Sequence, residues 1–352
     1  MVNTTLFLVV LFLVSAGAAS RTKLYSISDQ EGANDGICKS MVETQGYICH
    51  EHTVTTQDGY VLSMQRIPNS QSGKPADKPP VLLQHGLLMA YWEWSWDELV
   101  AYDLPASFKF VHDQTGQKLH YVGHSLGTLI AFAAFSQEKL LNVIRSAALL
   151  SPIAHLGQMP SPLARSASDA FLAEDLYWLG IHEFAPRGEA VAKLMEDICK
   201  KPGNNCSNLM NSFTGANCCL NSSRTDVFLE HEPQSTATKN MIHLAQMTRK
   251  GTIAMYDYGN EDDNMNHYGQ PTPPVYNMTR IPNDFPLFLS YGGKDLLSDV
   301  EDVKLLLDNL KDHQGDKLVV QFVEEYAHAD FVFGENANQV VYDPLMAFFK
   351  LQ

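Results

Sequence analysis

Basic residues are scarce in this chain. Across 352 residues, 25 Lys and Arg face 40 Asp and Glu, for a net charge of −15. They form no patch able to neutralise a run of phosphates, which argues against a nucleic-acid partner. The same shortage disfavours electrostatic docking on anionic membranes. Long apolar runs are missing as well. The one at the N-terminus, residues 6–14, is too short to cross a bilayer, so no stable membrane insertion is expected and contact with a lipid surface has to be hydrophobic. Small residues follow it from Ser15 to Ser20, with Ala16-Gly17-Ala18 as a cleavage option. Residues 1–20 therefore read as a secretory signal peptide, although no Lys or Arg precedes the apolar run. Cysteine is sparse, and no C-x-x-C pair or histidine array accompanies it, so no metal is expected. Repeats and low-complexity tracts are also lacking.

What cysteine there is fits an oxidising compartment. Cys38, Cys49, Cys199, Cys206, Cys218 and Cys219 allow three disulfides, with Cys38 and Cys49 the natural local pair. Asn205, Asn221 and Asn277 each open a sequon and are candidate glycan sites. These features point to secretion or to an endomembrane lumen, a vacuole- or lysosome-like one included.

Hydrophobic residues make up 45% of the chain, enough for one large core with an added subdomain. Two strand-like stretches around Gln57-Asp58-Gly59 predict a hairpin, and residues 71–80 a surface loop. Residues 80–86 read as a buried strand, and residues 94–117 as helix with Pro105 opening a second segment or a kink. A strand ending at Leu150 comes later, and the core pattern resumes only at residues 286–291. About 130 residues lie between, too many for a plain loop. Within them, helical stretches are expected at 169–180 and 187–200. A helix from Val300, a strand at 317–323 and a closing helix at 339–351 complete the chain. Alternating strands and helices imply an α/β fold with a mostly parallel sheet. The division expected is a core of 21–151 and 285–352, with an inserted helical cap or lid at 152–284.

Chemistry is concentrated at Gly123-His124-Ser125-Leu126-Gly127. It joins a strand-like stretch to an apolar helix, which is the sequence form of a nucleophile elbow. A serine hydroxyl is a weak nucleophile, so Ser125 needs a base and a group to orient that base. Asp295 and His328 follow in the order Ser, Asp, His, each just past a strand, on the edge where parallel sheets place their sites. Asp299 and Asp302 compete with Asp295 but look like caps of the helix that begins at Val300. His124 is expected to point away from the serine in a structural role. An oxyanion needs two backbone N–H donors, for which Leu126 and Leu87 stand in position.

Leu83-Gln84-His85-Gly86-Leu87-Leu88, residues 120–127, Tyr291-Gly292-Gly293-Lys294-Asp295 and Ala327-His328-Ala329-Asp330-Phe331 together resemble the acid lipase family of gastric and lysosomal lipases, plant members above all. The likeness extends through Met255-Tyr256-Asp257-Tyr258-Gly259 and Pro273-Pro274-Val275-Tyr276-Asn277. It implies an α/β-hydrolase fold and a serine lipase that hydrolyses triacylglycerols or other neutral lipid esters presented at an interface. It also implies a lid over an acyl channel, no cofactor, and the oxyanion roles of Leu87 and Leu126.

The chain departs from the family pattern at one place. A helix and a core strand are expected after the His-Gly-Leu-Leu loop, but Met89-Ala90 runs straight into Tyr91-Trp92. A crossover between parallel strands takes a dozen residues or more, so nothing fits there. By the family's strand order the absent strand would lie between the hairpin and the strand ending at Gly86. Its loss either leaves an unpaired edge or makes the hairpin pair there directly. This keeps a second reading open, a catalytically impaired splice variant or a non-catalytic lipid-binding product. A third, an acyltransferase, uses the same triad.

Overall fold

The structure is a computed structural model that describes residues 38–69, 78–85, 92–185, 209–220 and 235–352. The expected signal peptide, Leu87, Cys199, Cys206, Asn205, Asn221 and the helix expected at 187–200 lie outside the described residues. A small N-terminal unit, described at residues 38–51 and 65–69, holds the expected Cys38–Cys49 disulfide. The main unit takes in His52–Met64 and everything from Ala76 on.

Strands β1 (His50–Thr55) and β2 (Val61–Arg66) form the expected hairpin as a two-stranded sheet of its own. The central sheet holds β3 (Val81–Gln84), β4 (Leu119–His124), β5 (Ile144–Leu150), β8 (Leu287–Gly292) and β9 (Leu318–Val323), in the order β3-β4-β5-β8-β9. All its pairings are parallel. Among the described residues the sheet ends at β3, and Leu83 is 72% exposed there. Such an edge is a template for unwanted strand pairing.

Among the described residues between β3 and β4, three helical pieces follow one another. Ser95 opens the first, Trp96–Glu98, with a capping box in which Glu98 Oε2 accepts the Ser95 N–H. A π-turn, Leu99–Asp103, leads into α1 (Leu104–Thr115). Pro105 sits in the first turn of α1, directly after the π-turn. Helix α2 (Leu126–Ser136) is buried along its whole length, which explains its lack of any polar face.

Between β5 and β8 lie α3 (Pro162–Asp169), α4 (Leu172–Trp178), α5 (Leu209–Thr214), α6 (Thr238–Lys250) and α7 (Glu261–Tyr268), with a small antiparallel pair, β6 (Glu183–Phe184) and β7 (Thr236–Ala237). The helix expected at 169–180 is α4, shorter at both ends: Phe171 takes a left-handed conformation, φ 55°, and separates it from α3. Helices α8 (Val300–Asn309) and α9 (Asp343–Phe349) flank β9 in sequence.

Several buried or half-buried titratable groups shape the pH response. Asp97, Asp103 and Asp302 are each pushed up to about 7, chiefly by burial. His120 is pushed down to about 4, and His124 and His243 to about 3, again chiefly by burial. A carboxyl raised in the fold contributes stability that is full below the unfolded value of 3.8 and lost as pH rises to about 7. A histidine lowered in the fold contributes stability that is full above 6.5 and lost as pH falls toward 4. The two sets oppose each other across one window. The expected result is a melting temperature that changes less across the window than either set alone would dictate. Asp97→Asn removes one carboxyl contribution, so its melting temperature falls as pH drops through the window. Scanning fluorimetry from acid to neutral pH reads both behaviours.

Candidate active site

The turn after β4 puts Ser125 at φ 56° and ψ −120°, a conformation that costs a non-glycine residue about 1–3 kcal/mol. The surroundings hold it there. Ser125 N–H donates to Leu150 O at 3.2 Å, and the Ser125 carbonyl accepts the Thr128 N–H at 2.8 Å and the Thr128 hydroxyl at 2.6 Å. Thr128 Oγ1 in turn accepts the Ile153 N–H at 2.7 Å, which ties the elbow to the segment after β5.

The flanking glycines answer to space. A Cβ at Gly123 would stand 2.7 Å from the Gly127 carbonyl oxygen, and one at Gly127 would stand 2.6 Å from Gln84 O. The second contact also brings the end of β3, and the start of the loop bearing Leu87, against the elbow. Leu126 is the first residue of α2, so its N–H is one of the first-turn donors without an intrahelical acceptor.

Asp295 and His328 meet as expected. His328 Nδ1 lies 2.9 Å from Asp295 Oδ2 and 3.1 Å from Oδ1, with both residues buried. Asp295 Oδ1 also accepts the Leu297 and Ser298 N–H groups at 2.9 and 2.8 Å. Burial alone would raise the Asp295 pKa. The His328 charge and hydrogen bond, with the two backbone donors, outweigh burial and hold it below the ordinary carboxylate value. Ser125, Asp295 and His328 all follow the carboxyl ends of their strands, β4, β8 and β9. Among the described residues no hydrogen bond closes between Ser125 Oγ and the imidazole. Such bonds often tighten only when substrate is bound.

The rivals separate cleanly. Asp299 caps α8, accepting the Glu301 and Asp302 N–H groups at 2.9 and 3.2 Å. Asp302 is not a cap, which corrects the sequence expectation. Its buried carboxyl accepts the Gln158 N–H at 2.9 Å, because the 157–159 segment packs over the start of α8. His124 has an informative partner: its Nε2 lies 3.0 Å from the His328 carbonyl oxygen. The carbonyl can only accept, so the neutral His124 donates and fixes the backbone of His328. Sequence reasoning missed this link, and adjacency to Ser125 was its only signal. It also missed the part played by residues 211–220, which hydrogen-bond to the loops of both Asp295 and His328.

Asn277 is exposed, and its Oδ1 accepts the Thr279 N–H and hydroxyl at 3.0 and 2.8 Å. Cys218 and Cys219 form a disulfide with each other. A cavity of about 390 Å³, lined by His243, Gln246, Lys250 and several residues between Thr252 and Val275, includes none of Ser125, Asp295 and His328.

Comparison with known proteins adds three findings. Residues 38–97 match the partial alpha/beta-hydrolase lipase region, and residues 92–335 match the alpha/beta hydrolase fold. Triacylglycerol lipase 2 of Arabidopsis thaliana is 46% identical, covering 92% of this chain and 90% of that protein. Gastric triacylglycerol lipase of Homo sapiens is 32% identical, covering 87% and 89%. A solved structure described as a lipase in open form shares the fold, with a TM-score of 0.51 at 15% identity over 86% of this chain and 99% of that one. The plant alignment runs over 374 positions, more than the 352 residues of this chain, while using 92% of it. The surplus consists of positions of the plant protein that have no counterpart in this chain.

Proposed function

The chain belongs to the α/β-hydrolase lipases, the family of the plant and gastric enzymes it resembles, and from that premise we propose that it hydrolyses neutral lipid esters such as triacylglycerols by an acyl-enzyme mechanism. The observation that carries this reading is the buried Asp295–His328 pair on the same sheet edge as the strained Ser125.

In the proposed reaction Ser125 Oγ attacks the ester carbonyl and gives its proton to His328 Nε2. Asp295 holds the proton on Nδ1 and stabilises the imidazolium that forms. Charge builds on the carbonyl oxygen, where the N–H groups of Leu126 and Leu87 would receive it. Collapse expels the alcohol, protonated by His328, and leaves an acyl-serine. Water, deprotonated by His328, then cleaves the acyl group and frees Ser125. No cofactor enters these steps. Residues 152–284 form the cap over the acyl site in this reading.

The enzyme is further proposed to be secreted or luminal. The N-terminal apolar run, the cysteines and the sequons support this. At Asn277 an exposed side chain already bonded to its sequon threonine supports glycan attachment. Among the described residues no helix is long and apolar enough to cross a membrane.

The test is fatty-acid release from an emulsified long-chain triacylglycerol, followed by titration. Release by the folded chain is expected, with fatty acid still the main product when an alcohol acceptor is added. A sheet ending at β3 favours the impaired reading. Cooperative melting without release would establish that reading, and ester products in place of fatty acid would establish the acyltransferase.

A further inference from the structure

The loop that carries His328 is fastened by a segment more than a hundred residues away. Three consecutive loop N–H groups donate in turn: Ala327 to Asp330 Oδ2 at 2.8 Å, His328 to Thr214 O at 3.1 Å, and Ala329 to Asn217 Oδ1 at 3.1 Å. The same segment reaches the other loop. Leu296 N–H donates to Thr214 O at 3.4 Å, and Gly215 bridges Asp295 in antiparallel fashion. Gly215 has φ +97°, and a Cβ on it would stand 1.9 Å from Lys294 O, so only glycine lets the two backbones run this close. Residues 211–220 thus form a strap across both loops.

Asp330 closes the strap. Its side chain is fully buried. Besides Ala327, Oδ2 accepts the Cys218 N–H at 3.1 Å, and Oδ1 accepts the Cys219 N–H at 3.0 Å. Among the described residues no Lys, Arg or His forms an ion pair with it, so three backbone donors alone compensate its loss of hydration. Burying an ion in this way is costly unless every lone pair facing the protein is used. The three donors lie on two sides: Ala327 directly precedes His328, and Cys218 and Cys219 belong to the strap. The carboxylate therefore joins what the bare backbones could not, since N–H groups on both sides need a shared acceptor.

We infer that Asp330 is a positioning residue for His328: its carboxylate clamps the strap over residues 327–330 and keeps the imidazole aligned on Asp295 and presented to Ser125. This rests on the lipase reading for its catalytic consequence, but not for its structural one.

The experiment compares the full chain with Asp330→Asn and Asn217→Ala. Asn keeps the volume of Asp but sets an NH2 group against donors that need an acceptor. Asn217→Ala frees the Ala329 N–H from outside the loop. The readouts are the melting transition, kcat and KM on a soluble p-nitrophenyl ester, and the low-field proton NMR signal of His328 Nδ1–H, which the Asp295 contact shields from exchange. In Asp330→Asn the low-field signal is expected to broaden away and kcat to fall about 10- to 100-fold, with KM within about threefold. Asn217→Ala gives a smaller loss in the same direction. The NMR readout needs no turnover, so it tests the clamp even where the chain cleaves no ester, and the two failures are told apart. A wild-type low-field signal in folded Asp330→Asn overturns the proposal. Where that variant does not fold, an unchanged signal in Asn217→Ala overturns it.

Discussion

Ser125→Ala is expected to abolish labelling by a fluorophosphonate probe and to lower kcat on esters by about 10⁴- to 10⁶-fold. The melting temperature should not fall. The loss is large because the variant must use water as nucleophile without forming an acyl-serine. What activity persists comes from the Leu126 donor and from binding, which act on any attacking group. Stability is spared because the Ser125 contacts that hold the turn are made by its backbone: the N–H to Leu150 and the carbonyl to Thr128. Its hydroxyl has no such duty. Alanine inherits the strained φ of 56°, whereas Ser125→Gly would relieve it and melt higher, by an amount set by the ~1–3 kcal/mol that such backbone costs. Labelling that survives in Ser125→Ala would remove Ser125 from the nucleophile role.

The elbow was legible before any coordinates because its requirements are local. Gly123 and Gly127 are demanded by carbonyl oxygens within van der Waals reach, and the apolar run after them by the complete burial of α2. Asp295 and His328 could be found because a parallel sheet delivers strand ends to one edge, so that chain order stands in for distance. The strap shows the opposite case. Thr214, Asn217 and Asp330 act by hydrogen bonds between segments about a hundred residues apart, and nothing in the pattern of either segment announces the other. Asp330 stood in the recognisable His328 segment, yet its burial, which makes it matter, is a property of packing alone. The break at Phe171 and the link from Asp302 to Gln158 escaped for the same reason: each is decided by what packs against it. The departure from the family pattern after Ala90, by contrast, could be read from length alone.

Asp295→Asn should lower kcat by about 10⁴-fold, the scale known for this change in a serine protease triad, while KM changes little. The two carboxylate oxygens of Asp295 do different work. Oδ1 takes the Leu297 and Ser298 N–H groups at 2.9 and 2.8 Å, and Oδ2 is the nearer partner of His328 Nδ1 at 2.9 Å. An asparagine has one acceptor oxygen, and the two backbone donors will claim it. Its NH2 group then faces Nδ1 and donates to it, which drives the imidazole proton onto Nε2. In that tautomer His328 cannot take a proton from Ser125, so the base is lost although every side chain stays in place. Asp295→Ala distinguishes geometry from tautomer, since it leaves both backbone donors unpaired and costs about 1–3 kcal/mol of stability that Asp295→Asn keeps. The pair Ser125→Ala with Asp295→Asn provides the last check. If both residues serve one proton transfer, the double variant is no slower than Ser125→Ala alone. A further loss in the double variant would mean that Asp295 acts on catalysis by a route that does not pass through the serine.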